Sequence, residues 1–183
     1  MDHMCSMVRV GVRYVTGKLR EDHDRILEAI QLLHKAIEVK DADAIYNLIE
    51  FAKGFIDACH HSAEEYILFP GAVRGGFPYE GSPIEVMVCE HGVGRYLIRS
   101  MEELYRAWKA GDQGAFAELV DVARLYSDHI TQHIEKENDV LFPMLEGNVE
   151  EVDSSRTMEQ LERENHHEEW VEALGRLREK LNK

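Results

Sequence analysis

The sequence predicts an all-α fold: an up-down-up-down antiparallel four-helix bundle with an additional C-terminal helix. Three observations predict it. Apolar residues recur at helical spacing through four long segments. Only 4 prolines interrupt the 183 residues. The joints between segments are short to moderate and carry helix-start and helix-stop residues, as an antiparallel bundle requires.

The elements follow in chain order. Residues 1–16 carry two patterns, since Val8, Val10 and Val12 alternate like a strand while Met1, Met4 and Met7 step like a helix. They are set apart as an N-terminal extension. Leu19, His23, Ile26, Ile30, Leu33 and Ile37 then form one amphipathic stripe, with His23 where an apolar residue is expected. A second helix starts at Asp41 or Asp43, either of which can cap it. It carries Ile45, Leu48, Ile49, Ala52, Ile56, Cys59 and Ala63, and Pro70-Gly71 is expected to stop it. Gly71 to Gly81 reads as a loop.

Ser82-Pro83-Ile84-Glu85 starts the third helix: a capping serine, a proline at the first helical position and an acid in the first turn. It runs to about Lys109, and Gly111 ends it. The fourth begins near Asp112 or Gln113, carries Phe116, Leu119, Val120, Ala123, Tyr126, Ile130 and Ile134, and is expected to end at Pro143. Gly147 to Ser155 reads as a polar linker. The last helix, Arg156 to Leu181, has a thinner stripe (Leu161, Trp170, Leu174, Leu177, Leu181), suited to the outside of the bundle or to a second copy in a homodimer. The domain division is therefore 1–16, 17–145 and 146–183.

Composition narrows the function. With 35 acidic and 21 basic residues the formal charge is −14. Such a surface repels phosphate backbones and anionic membranes, so neither nucleic acid nor a membrane is expected as a partner. There is no apolar run of about 18 residues and no secretion signal at the N-terminus. Cys5, Cys59 and Cys89 are odd in number and scattered, which suits a reducing cytoplasm.

The chemistry lies in an internal repeat. His60-x3-Glu64-x2-Ile67-Leu68-Phe69-Pro70 matches His133-x3-Glu137-x2-Val140-Leu141-Phe142-Pro143. Residues four apart share a helix face, so each imidazole and carboxylate can serve one metal centre. At about 100° per residue, His60 and Glu64 lie roughly 60–100° from the centre of their apolar stripe. Glu137 lies within about 30° of its own, His133 within about 70°, and His91 within about 30° of the stripe of the third helix. The candidate metal ligands are therefore His23, His60, Glu64, His91, His133 and Glu137. Burying them together without a cation would be costly. They exceed what one tetrahedral zinc takes and match two iron ions.

Other polar residues read as bystanders. His61 and Glu65 fall on the far side of the second helix, at roughly 160–200°, as solvated or supporting groups. The spacing leaves open whether either ligates beside or in place of His60 and Glu64. His129 is a similar supporting group. His34, His166 and His167 read as surface residues, Cys59 and Cys89 as small buried hydrophobes, and Tyr126 as a core aromatic. The acidic run Glu162 to Glu169 reads as a solvated helix face.

At Glu21-Asp22-His23, Cys59-His60-His61-x2-Glu64-Glu65, Glu90-His91-x2-Gly94-Arg95 and His133-x2-Lys136-Glu137 the sequence resembles the hemerythrin-like, or HHE cation-binding, family. The resemblance spans about residues 17–145. It implies a non-haem di-iron centre with an oxo or hydroxo bridge, also bridged by Glu64 and Glu137, and small diatomic or peroxide ligands. Oxygen-carrying hemerythrins have His-x3-His on the third helix and end on His-x4-Asp; here Arg95 and the His133-x3-Glu137 pattern stand instead. That departure points away from reversible oxygen carriage, towards binding of oxygen, nitric oxide or peroxide in a sensing or stress-response role. The alternatives are an enzyme turning over peroxide or nitric oxide and an iron reservoir or donor; a structural zinc site is the weakest.

Overall fold

The computed structural model describes residues 7–183. Residues 1–6, with Cys5 and the methionines Met1 and Met4, lie outside the described residues. The chain forms β1 (Val8–Gly11), α1 (Val12–Glu38), α2 (Ala42–Phe51), α3 (Phe69–Arg74), α4 (Pro83–Lys109), α5 (Gln113–Lys136), α6 (Phe142–Asn148), β2 (Glu151–Ser154), α7 (Met158–Glu164) and α8 (His167–Leu181). Stretches of π-helix, Ala52–His61 and Glu64–Leu68, join α2 to α3, and another, Glu137–Leu141, joins α5 to α6. The four arms of the bundle are thus α1, the continuous run from α2 to α3, α4, and the run from α5 to α6.

Three helix starts are those the sequence marks, whereas α1 begins earlier than its stripe, at Val12, within the stretch set apart as an extension. Asp41 Oδ1 accepts from Ala44 N, Ser82 Oγ from Ile84 N, and Asp112 Oδ1 from Gly114 N. These caps satisfy backbone donors that have no partner inside the helix. Glu85 reaches back one residue further than a capping box, to Gly81 N.

Neither Pro70 nor Pro143 ends its helix, contrary to the sequence expectation. Each sits in the first turn of a new α-helical piece, in α3 and α6. A proline ring collides with the carbonyl four residues back and offers no N–H. Those carbonyls belong to Tyr66 and Asp139, both inside a π-helical stretch. The wider turn there absorbs the clash, so the chain continues as a helix. The two copies of the repeat therefore fold alike: π-helix from glutamate to leucine, then α-helix from phenylalanine.

The expected polar linker is partly a strand. β2 pairs antiparallel with β1, Val10 opposite Val152, and Val152 is buried. It crosses α3 so closely that a Cβ on Gly71 would lie 2.5 Å from Val152 Cβ. The expected last helix is two helices, because His166 between α7 and α8 takes φ 58°. Leu174, Leu177 and Leu181 of α8 are buried in the bundle core. The stripe offered for a partner subunit is thus covered by this chain.

The core consists of two apolar clusters. One holds Ile26, Ile56, Ile98, Ile130 and Ile134; the other holds Leu19, Ala63, Met87, Leu141 and Phe142. Along every arm of the bundle a polar residue separates the two: His23 between Leu19 and Ile26, His60 between Ile56 and Ala63, His91 between Met87 and Ile98, Glu137 between Ile134 and Leu141. A polar layer crosses the bundle at this level.

Candidate metal centre

All six residues singled out from the sequence converge in that layer. His23, His60, Glu64, His91, His133 and Glu137 are each buried, at 1% exposure or less. The two glutamates each reach two histidines on different helices. Glu64 Oε1 lies 3.7 Å from His60 Nε2 and its Oε2 lies 3.2 Å from His91 Nε2. Glu137 Oε2 lies 3.1 Å from His23 Nε2 and its Oε1 lies 3.4 Å from His133 Nε2. The repeat thus produces a two-fold arrangement. Its phenylalanines obey it too: Phe69 stacks near His91 and Phe142 on His23, with ring planes 17° and 6° apart.

One residue joins them that the sequence reading placed on the far side. His61 is 2% exposed, stacks on His91 with ring centroids 3.9 Å apart, and approaches His133 at 5.6 Å. The reason is the π-helix over Ala52–His61. Its i→i+5 turns advance each residue by less than the ~100° assumed from an α-helix. The lag accumulates over the segment and swings His61 inward. No residue pattern in the sequence announces a π-helix, although a proline ending such a repeat hints at one.

The donor atoms fall into two groups, each within 4.8 Å: His61, Glu64, His91 and His133, and His23, His60, Glu64 and Glu137. Glu64 belongs to both, and Glu137 touches His133 of the other. Both oxygens of Glu64 and Glu137, the Nε2 of His91 and His133, and both ring nitrogens of His61 have no hydrogen-bond partner among the described residues. Buried polar atoms are normally paired. So many unpaired polar atoms in one buried layer is the condition a cation relieves, and imidazole with carboxylate is a donor set suited to iron.

The far side of three of the imidazoles is organised as ligand histidines are. His23 Nδ1 meets Asn138 Oδ1 at 2.9 Å, His91 Nδ1 donates to Glu65 at 2.7 Å, and His133 Nδ1 donates to Glu90 at 3.0 Å. A carboxylate only accepts, so Nδ1 carries the hydrogen and Nε2 faces the centre. His61 Nδ1 faces Asp57 at 3.6 Å and His60 Nδ1 faces Asp22 at 3.8 Å, both beyond hydrogen-bond length. A third layer of cations holds these acids: Arg95 on Asp57 and Glu65, Lys136 on Glu90, Arg25 on Asp22. Arg95, a departure from the His-x3-His pattern, takes this role.

The electrostatics follow. Burial disfavours a charged His91, but the carboxylates of Glu64 and Glu65 outweigh it and raise its pKa to about 9. Burial also opposes the charge on Glu137, yet His133 and His23 hold its pKa well below the usual carboxylate range. His61 is pushed well down, first by burial and then by repulsion from His91 and His60.

The remaining expectations divide. Glu65 supports His91, and His129 Nε2 contacts the carbonyl of Glu90. Tyr126 is a buried core aromatic, its hydroxyl unpaired among the described residues. Cys59 is buried, but Cys89 is exposed, because it lies on the outer face of α4. His34 and His166 are at the surface, whereas the side chain of His167 is only 15% exposed and donates to Asp22. Glu162 is not merely solvated: it pairs with Lys18. Among the described residues no helix is long and apolar enough to cross a membrane.

Two comparisons with known proteins give the family of the chain. The Hemerythrin HHE cation binding domain matches residues 15–145. Over 85 residues, 45% of this chain, the sequence is 34% identical to the iron-sulfur cluster repair protein DnrN of Neisseria gonorrhoeae. The chain spans about half, 54%, of the length of that relative. With its polar layer built on the matched residues, this chain belongs to the hemerythrin HHE cation-binding domain family.

Proposed function

We propose that the chain holds two iron ions, bridged by Glu64 and Glu137, and binds small oxidising ligands such as oxygen, nitric oxide or peroxide in a stress-response role. His23 and His60 serve one ion; His91 and His133, joined by His61, serve the other. The functional unit is 17–145, and 146–183 is an addition to it. The observation that carries the reading is the reach of each glutamate: two carboxylates, each lying between histidines of two helices, with neither carrying a hydrogen-bond partner among the described residues.

Bound iron in such a set supplies Lewis acidity and one-electron redox chemistry. The protein's part is definable. Glu64 and Glu137 offset cationic charge that burial would otherwise penalise. His23, His91 and His133 are fixed in position through their hydrogen-bonded Nδ1 atoms. Phe69 and Phe142 wall the centre on one side and the isoleucines of the other cluster wall it opposite, keeping bulk water out. An unequal division, three histidines against two, makes the two ions chemically different.

A second reading, iron donation, is favoured by the name of the DnrN relative, an iron-sulfur cluster repair protein. Mixing the reduced, iron-loaded protein with nitric oxide or peroxide separates the readings. Stoichiometric spectral change without turnover supports ligand binding. Rapid loss of iron to a chelator, with the helical fold kept and no response to either ligand, supports donation instead.

A further inference from the structure

α7 and α8 lie past the end of the family match at residue 145, yet α8 reaches the acid that faces one of the centre's histidines. His167, the first residue of α8, donates from Nε2 to Asp22 Oδ1 at 3.0 Å. Arg25 holds the same oxygen at 3.1 Å. The other oxygen of Asp22 faces His60 Nδ1 at 3.8 Å, and that nitrogen has no hydrogen-bond partner among the described residues. The Nδ1 atoms of His23, His91 and His133 are held by Asn138, Glu65 and Glu90, all from the bundle itself. His60 differs: its backing acid is steered from the C-terminal segment.

We propose that His167 is a positioning residue for His60, fixing the Asp22 carboxylate so that its free oxygen stays aimed at His60 Nδ1 and His60 Nε2 stays aimed at the centre. The C-terminal segment thereby sets the affinity of the His23–His60 side alone. Two further contacts support a built connection. The His167 ring packs 5.0 Å from that of Phe55. Cys59, next to His60 in the chain, donates its thiol to the carbonyl of Asn165 at 3.2 Å, so the α7–α8 joint holds both the neighbour of His60 and the acid that faces it. The left-handed His166 is what turns His167 inward at that joint.

The proposal rests on the two-ion reading, and one experiment separates their failures. Apoprotein is titrated with Co(II), following its visible absorption, in wild type, Asp22→Asn, His167→Ala, His167→Gln and Leu174→Ala, alongside the melting temperature of each apoprotein. Wild type takes two ions. Asp22→Asn weakens one of the two by about 10- to 100-fold, as loss of an acid behind a ligand histidine does. His167→Ala weakens the same ion by about tenfold, the lower end of that range. His167→Gln restores most of the loss, because its amide can donate to Asp22. Leu174→Ala opens a core cavity about two turns beyond His167, lowers melting while α8 stays docked with His167 on Asp22, and leaves both affinities in place. The proposal is overturned if His167→Ala lowers melting like Leu174→Ala but spares both affinities, if it weakens both ions equally, or if Gln rescues nothing. A wild-type protein that takes up fewer than two ions overturns the two-ion reading itself, and this proposal with it.

Discussion

Arg95 Nη2 donates to Glu65 Oε1 at 2.8 Å, and that same oxygen accepts from His91 Nδ1 at 2.7 Å. Arg95 Nε also holds Asp57 at 2.6 Å, the acid that faces His61. One guanidinium thus stands behind two inward histidines. Arg95→Ala is expected to weaken one of the two metal ions by about 10- to 100-fold while sparing the other. Arg95→Lys recovers part of this at most, since a single ammonium cannot span both acids as a planar fork does. Metal titration of the three proteins measures it; equal loss at both ions would reject the assignment.

His61 is expected to count among the ligands. X-ray absorption of the iron-loaded protein reads the mean number of imidazoles per iron. That number falls in His61→Ala and falls also in His91→Ala. An unchanged imidazole count in His61→Ala would return His61 to the role of a buried neighbour.

Gly54 leaves no room for a side chain: a Cβ there would lie 2.0 Å from the Trp170 ring. Gly54→Ala must push α8 outward, at a cost of about 1–3 kcal/mol. The cost should shrink in a Trp170→Ala background, which a double-mutant cycle of denaturant midpoints tests. Additive costs would mean that the contact does not set the position of α8.

Glu146 ties α6 to α1. Burial alone would raise its pKa, but the hydroxyl of Thr16 and the guanidinium of Arg20 hold it below the ordinary value. A depressed carboxyl stabilises the fold above its unfolded pKa, and that contribution is lost as pH falls through the folded value. Glu146→Gln should therefore cost about 1 kcal/mol near neutral pH. The difference from wild type should close towards pH 3 in denaturant melts; a constant gap across pH would contradict it.

Much of this architecture is legible in the sequence, because local chemistry dictates it. Ser82, Asp112 and Asp41 cap where their side chains can reach backbone donors, and the apolar stripes fix which face turns inward. The inward six were visible because each histidine or glutamate lies close to such a stripe. What escaped depends on distant partners or on phase. β1 and β2 pair across about 140 residues of intervening chain, beyond any local signal. His61 turns inward because a π-helix sets its phase, where the apolar spacing implies an α-helix. His167 acquires its partner only when α8 docks, and Arg95 acquires its role from Glu65 and Asp57, which come from another arm of the bundle.

The most direct measurement is the iron content per chain of freshly purified protein, with its near-ultraviolet spectrum, in wild type and in Glu64→Ala. The account predicts close to two irons per wild-type chain with the absorption of a coupled ferric pair, and clear loss of both in Glu64→Ala with helical content retained. A folded wild-type protein that holds one ion or none after anaerobic loading with ferrous iron would contradict it.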